Sequence, residues 1–211
     1  MIMEELLKDI STLLQQGRAP KVKEKVQEAL DQGVSAKDIL EKGLLDGMSV
    51  IGEKFKNNEV YVPEVLIAAR AMNAGVALLK PYLVDAGVEA KGTVVIGTVK
   101  GDLHDIGKNL VKMMMEGKGL NVIDLGVDVS AEKFIEAAKE NNADIIACSA
   151  LLTTTMTEMK NVVDAVKAEN LDVKVMIGGA PVTQSFCDSI GASSYTADAA
   201  SAADAALAFC S

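Results

Sequence analysis

Val94-Val95-Ile96-Gly97-Thr98-Val99-Lys100-Gly101-Asp102-Leu103-His104-Asp105-Ile106-Gly107 is the stretch on which the fold turns. A short apolar, β-branched run gives way to a polar loop flanked by glycines, and a helical pattern starts near Gly107. The spacing predicts a strand over Val94 to Thr98, a turn, and a helix over about 107–117. The same alternation continues downstream, with strands expected at Val122 to Leu125, Ile145 to Ala150, Val173 to Ile177 and, more weakly, Ser194 to Thr196. Helices fall between them at about 130–141, 156–169 and 183–190, and a last one near 199–210. Such alternation calls for a parallel sheet with helices on both faces. Ligands of these sheets sit at the carboxyl ends of the strands, so the loops after the strands are where function is sought.

Upstream the period is helical throughout. Leu6, Leu7, Ile10, Leu13 and Leu14 form one stripe; Val22, Val26 and Leu30 form a second, ended by Gly33. Ser35 with Asp38 makes a variant capping box for a third helix carrying Ile39 to Phe55. A fourth is expected to start after Pro63, to carry Val65, Leu66, Ala69, Met72, Val76 and Leu79, and to bend or end at Pro81. The expected organisation is a four-helix bundle over residues 1–90, followed by a flavodoxin/Rossmann-like, five-stranded parallel sheet domain over residues 91–211.

The formal charge is −9 and only 3% of residues are aromatic, with no Trp. A field of that sign repels phosphate backbones and anionic lipid heads, and too few rings exist for a base-stacking platform, so neither nucleic acid nor membrane is an expected partner. The start, Met1-Ile2-Met3-Glu4-Glu5, has no basic region followed by an apolar run, and no apolar stretch is read as approaching the roughly 20 residues of a bilayer span. A cytoplasmic protein is expected. Cys148, Cys187 and Cys210 are odd in number and widely spaced, which suggests neither a disulfide framework nor a zinc site.

The chain has one histidine, and it lies in the first strand-end loop. Glycines on either side let the backbone turn tightly, and Asp102 is placed to bond one nitrogen of the His104 ring while the other ligates a metal. A turn shaped by a histidine and a carboxylate reads equally from these residues. One His makes no zinc site, and Asp102 with Asp105 gives too few ligands for a hard cation. A single axial ligand to a cofactor that brings its own equatorial ligands is a third reading. After the third strand comes Ser149-Ala150-Leu151-Leu152-Thr153-Thr154-Thr155, where N-capping accounts for one hydroxyl but not four. After the fourth comes Gly178-Gly179-Ala180-Pro181, either a turn or room for a group lying along the backbone. The phosphate-cradling G-x-x-x-x-G-K-[ST] and the dinucleotide G-x-G-x-x-G are both missing.

Together the three loops resemble the D-x-H-x-x-G, S-x-L, G-G signature of the cobalamin-binding domain of methionine synthase, methylmalonyl-type mutases and corrinoid methyl carriers. Asp102-Leu103-His104-Asp105-Ile106-Gly107 is followed by 41 residues before Ser149-Ala150-Leu151, and by a further 26 before Gly178-Gly179. Tyr61-Val62-Pro63-Glu64 and Ala68-Ala69-Arg70-Ala71-Met72 look like the helical cap of the methyl carriers, so the resemblance spans nearly the whole chain.

The resemblance implies cobalamin or a related corrinoid, passing between methylcob(III)alamin and cob(I)alamin. His104 becomes the axial cobalt ligand and the metal-binding residue, with Asp102 and Thr155 completing a relay in which Thr155 stands where methionine synthase has a serine. Gly101, Leu103, Asp105, Ile106, Gly107, Ser149, Leu151, Thr153, Gly178, Gly179 and Ala180 are implied cofactor contacts. Tyr61 and Met72 would shield the methyl-bearing face, although bundle core is an equal reading of Met72. The implied role is a non-catalytic methyl carrier serving demethylation of methylamines, betaines, methanol or methoxyaromatics. Its implied partners are a substrate-specific corrinoid methyltransferase, a methylcorrinoid:tetrahydrofolate or coenzyme M methyltransferase, and a reductive activase. A cobalamin sensor or storage protein and a detached mutase subunit are the alternatives. Val84 to Gly92, with Gly87 and Gly92, is the expected hinge.

Overall fold

A computed structural model describes residues 2–211 and divides the chain into two compact units, Met1–Ala90 and Lys91–Ser211. The first is helical. Helices α1 (Ile2–Gln15) and α2 (Ala19–Asp31) are followed by α3 (Ala36–Asp38), which runs through a π-helical stretch, Ile39–Leu45, into α4 (Asp46–Lys56). Helix α5 (Val62–Asp85) packs against α1, α2 and α4. The expected stripes supply the core, with Ile10, Leu14, Val22, Val26, Leu44, Met48, Ile51 and Leu79 all buried. Close approach sets one contact: a Cβ on Gly75 would lie 2.9 Å from Leu44 Cδ2. Ser35 caps α3 by accepting the Asp38 N–H at 3.1 Å.

Three local expectations need correction. Helix α5 begins at Val62, before Pro63, and Glu64 accepts the Tyr61 N–H at 3.1 Å to fasten that start. It also continues through Pro81 to Asp85. The proline removes one N–H, but the carbonyl it leaves belongs to Ala77, which is exposed and so open to solvent. Third, α5 is long and apolar enough, by length and composition, to cross a bilayer, contrary to the reading of the sequence. Much of that apolarity is spent inside the bundle, because Val65, Ala68, Ala69, Ala71, Met72, Gly75 and Leu79 are buried.

The second unit alternates strand and helix: β1 (Thr93–Thr98), α6 (Ile106–Glu116), β2 (Asn121–Asp124), α7 (Ala131–Glu140), β3 (Ile145–Ser149), then a 3-10 turn (Thr153–Thr155) leading into α8 (Met156–Ala168). β4 (Lys174–Gly178), α9 (Gln184–Ile190), β5 (Ser194–Tyr195) and α10 (Ala199–Phe209) complete it. The strands form one parallel sheet in the order β2-β1-β3-β4-β5, the doubly wound arrangement expected from the alternation. Successive strand residues face opposite ways, which divides the core in two. Val95, Ile146, Cys148, Val175 and Ile177 join a cluster with Phe134, Ile135, Met159, Val162, Val163 and Cys187 from α7, α8 and α9. Helices α6 and α10 pack on each other, with α6 against β1 and β2.

Phe134 is fully buried, and β1 passes so near it that a Cβ on Gly97 would lie 2.9 Å from its ring. Truncating Phe134→Ala is expected to cost about 3–5 kcal/mol, combining lost burial with a cavity that the sheet above cannot fill. Urea unfolding followed by circular dichroism measures it, and an unchanged midpoint would contradict this account of the core.

Candidate functional site

The sheet order reverses between β1 and β3, so the loops after these two strands diverge and leave a crevice at their carboxyl ends. Register brings Thr98, Ser149 and Gly178 side by side there, one from each of β1, β3 and β4. Three of the loops picked out from the sequence therefore open from one edge.

After β1 the chain turns at Gly101, whose φ of +80° lies in the left-handed region that glycine favours. The turn delivers Asp102 inward and His104 outward. The Asp102 side chain has no exposed surface, whereas 51% of the His104 side chain is exposed. Asp102 Oδ1 accepts from His104 Nδ1 at 2.7 Å and from the His104 N–H at 3.1 Å. Its Oδ2 faces the β3 loop and accepts the N–H groups of Leu151 at 2.8 Å and Leu152 at 3.1 Å. The Thr155 hydroxyl lies 2.9 Å from that same oxygen and 2.9 Å from the Leu152 carbonyl. It has one hydrogen, and the carboxylate is the stronger acceptor.

Burial pushes the Asp102 carboxyl up, but hydrogen bonds from the His104 ring, the Leu151 and His104 N–H groups and Thr155 outweigh it and hold the group well below the usual carboxylate range. Asp102 is thus an anion throughout the neutral range. Facing an anion, Nδ1 carries the ring proton, and a neutral ring then has its Nε2 lone pair free. Thr155 stands at the start of α8 without capping it, so N-capping does not account for this hydroxyl.

Around His104 the surface is unusually apolar. Leu103 is 71% exposed and Ile106 78%, with Leu151 and Leu152 more than two-fifths exposed on the facing loop. Gly107 and Gly178 have open space where a Cβ would stand, and Gly178 O accepts the Ala150 N–H at 3.1 Å. Gly179 is different: its φ is +134°, and a Cβ would come within 1.8 Å of the Ala150 carbonyl oxygen. Thr153 and Ala180 are exposed, and Asp105 accepts from Asn109 Nδ2 at 3.1 Å. Among the described residues, no group of three or more His, Cys, Asp or Glu side chains converges as a metal cage. The donor set suits a ligand that needs one nitrogen beneath a broad apolar face.

In the helical unit Tyr61 is 65% exposed, while Met72 is 2% exposed and lies on the buried stripe of α5. That burial accords with the bundle-core reading of Met72. Sequence reasoning missed Thr98 and Asp128, which hold the β1 loop from outside. It also missed Lys108, whose buried ammonium donates to Asp124 Oδ1 at 2.6 Å. A polar residue ending β1 and the Gly-x-Asp after β2 were the available signals.

The B12 binding domain family matches residues 92–208, and a second B12 binding domain family matches residues 6–80. This chain belongs to the corrinoid proteins. It is 42% identical over 205 residues to a corrinoid protein of Desulfitobacterium hafniense, covering 94% of each, and 43% identical over 205 residues to the dimethylamine corrinoid protein of Methanosarcina barkeri, covering 96% of each. Among solved structures it resembles the methanol:cobalamin methyltransferase complex MtaBC of Methanosarcina barkeri, with a TM-score of 0.88 at 32% identity over 97% of this chain and 80% of that one. It also resembles a cobalamin-binding protein of Desulfitobacterium hafniense, with a TM-score of 0.79 at 31% identity over 96% and 98% of the two chains. The cofactor of this corrinoid protein is cobalamin or a related corrinoid, and the outward nitrogen, apolar rim and side-chain-free cradle at Gly178 fit such a group.

The two adjacent glycines are expected to separate on substitution. Gly179→Ala drives a Cβ into backbone at a left-handed φ and should lower the melting temperature of the cofactor-free protein by several degrees, whereas Gly178→Ala, entering open space, should leave it unchanged. Equal melting temperatures for the two variants would refute this difference.

Proposed function

We propose that this corrinoid protein carries a methyl group on cobalt between a substrate:corrinoid methyltransferase and a methylcorrinoid:acceptor methyltransferase, with His104 as the axial ligand. The observation that carries the reading is the half-exposed His104 ring, held through Nδ1 by a fully buried anion. Bound corrinoid supplies the cobalt that takes up and gives away the methyl group. The chain supplies everything around it. Asp102 keeps the proton on Nδ1 and aims Nε2 outward; Leu151, Leu152 and Thr155 keep Asp102 anionic and still. Leu103, Ile106, Leu151 and Leu152 exclude water from the ligand face, while Gly178, Gly179, Ser149, Thr153 and Ala180 leave a passage for the nucleotide tail.

Tyr61, exposed at the start of α5, shields the outer face of the cofactor in this proposal. Both partners need that face, so the helical unit has to move as a lid. The hinge proposed here is shorter than Val84 to Gly92. Helix α5 runs to Asp85, and Gly92 is fixed within the second unit, where a Cβ would meet Cys210 Sγ at 2.3 Å. The segment 86–90 remains, with Gly87 at φ +64° and open space around it.

The dimethylamine corrinoid protein and the methanol methyltransferase complex it resembles support a methylamine or methanol as the class of methyl donor, with the choice made by the partner enzyme. Tetrahydrofolate or coenzyme M would be the acceptor, a reductive activase would be a further partner, and the cytoplasm would be the compartment.

Anaerobic reconstitution with hydroxocobalamin, desalting and visible spectroscopy test the binding mode. Wild type should retain corrin with a base-off, histidine-on spectrum, and His104→Ala should lose that signature and most of the retained corrin while staying folded. A wild type that holds no corrin, or a variant with the same spectrum as wild type, would sink the assignment.

A further inference from the structure

We infer that Asp128 and Thr98 are positioning residues that clamp the main chain on both sides of His104 and so decide which nitrogen of its ring faces outward. The inference rests on the axial-ligand reading of His104. After β2 the chain does not leave directly for α7. It runs beside the end of β1, with the Thr98 N–H donating to the Gly126 carbonyl at 3.0 Å, the Val129 N–H donating to the Thr98 carbonyl at 2.9 Å, and Val99 and Val129 bridged in parallel.

Between these contacts Asp128 adopts a φ of +54°, which few residues other than Gly, Asn and Asp accept. That conformation turns both of its polar groups onto the β1 loop. The Asp128 N–H donates to the Asp102 carbonyl at 3.0 Å, and its Oδ1 accepts the Gly101 N–H at 2.7 Å. From the other side Thr98, which has no exposed surface, donates its hydroxyl to the His104 carbonyl at 2.8 Å. Gly101, Asp102 and His104 are therefore each held by a group outside the loop.

These bonds matter because the Asp102 carboxylate and the His104 ring are held by different parts of the protein. The carboxylate is held from the facing loop by Leu151, Leu152 and Thr155. The ring reaches it only while the peptide at His104 keeps its orientation. A loop free to rotate by a few tens of degrees breaks the 2.7 Å contact from Nδ1, and the ring is then free to carry its proton on Nε2, the nitrogen that has to be bare in order to ligate. The clamp protects the tautomer.

Because the chain has one histidine, ring nitrogen NMR of the cofactor-free protein reads that tautomer without ambiguity. At a pH where the ring is neutral, the wild type should show a single, hydrogen-bonded Nδ1–H. Asp128→Gly permits the left-handed backbone but removes the acceptor, and Thr98→Val keeps shape but removes the hydroxyl. Both should lose the Nδ1–H signal, and Asp128→Asn and Thr98→Ser should restore it, since each returns the missing group. Melting temperatures run alongside: Gly and Val variants that melt earlier yet keep the wild-type tautomer would overturn the inference and leave these residues a purely structural role. The cofactor is absent from this measurement. A wild type with the Nδ1–H tautomer that retains no corrin counts against the proposed function alone, and corrin-binding wild type with tautomer-insensitive variants counts against the clamp alone.

Discussion

A carboxylate without exposed surface is costly to bury unless its lone pairs are all used, and at Asp102 they are. Five donors converge on two oxygens, and they come from both sides of the crevice: two from His104 on the β1 loop, three from Leu151, Leu152 and Thr155 after β3. The same bonds that satisfy the anion therefore tie together the two loops that the sheet order drives apart. Removing the carboxylate would leave the main-chain N–H groups of His104, Leu151 and Leu152 without this acceptor and the imidazole unheld. Loop structure and ring orientation are thus one property of this site.

The sheet makes that convergence possible. Parallel strands in the order β2-β1-β3-β4-β5 place the ends of β1, β3 and β4 in register, so residues 98, 149 and 178 share an edge although 80 positions separate the first from the last. Gly179 then has to run against the Ala150 carbonyl, where no side chain fits. The apolar side chains left in solvent at Leu103, Ile106, Leu151 and Leu152 are costly for a protein without a ligand, and they surround the one imidazole. Stability alone would have covered them.

Much of this was legible in the sequence because its signals are local. Val94 to Thr98 and Ile145 to Ala150 are apolar on both faces, as strands covered on both sides must be, and the loops after them carry His104 and Thr155 within a few residues of the strand end. What escaped depends on partners distant in sequence. Asp128 acts on Gly101, 27 positions away, and Lys108 on Asp124, 16 away, and neither pairing has a spacing rule to reveal it. Met72 was ambiguous since a buried helix face and a ligand-covering face share one period. Pro81 and the apolar length of α5 misled because both were judged without the bundle, which buries one side of the helix and leaves the other to water.

Lys108 completes the picture of a loop prepared in advance. A lysine in the first turn of α6 opposes the helix dipole, and this one is buried as well. Asp124 compensates for both penalties: burial pushes its carboxyl up, yet the bonds from Lys108 and from the Gly126 N–H prevail and hold it below the usual range. The ion pair joins the start of α6 to the end of β2, beyond the loop's far end, and Gly126 then leads to Asp128, which grips its near end. One short segment after β2 thereby fixes the His104 loop from two directions. Ordering a loop at the moment of binding would consume part of what a single nitrogen gains from a large group, and here the loop is already ordered on folding.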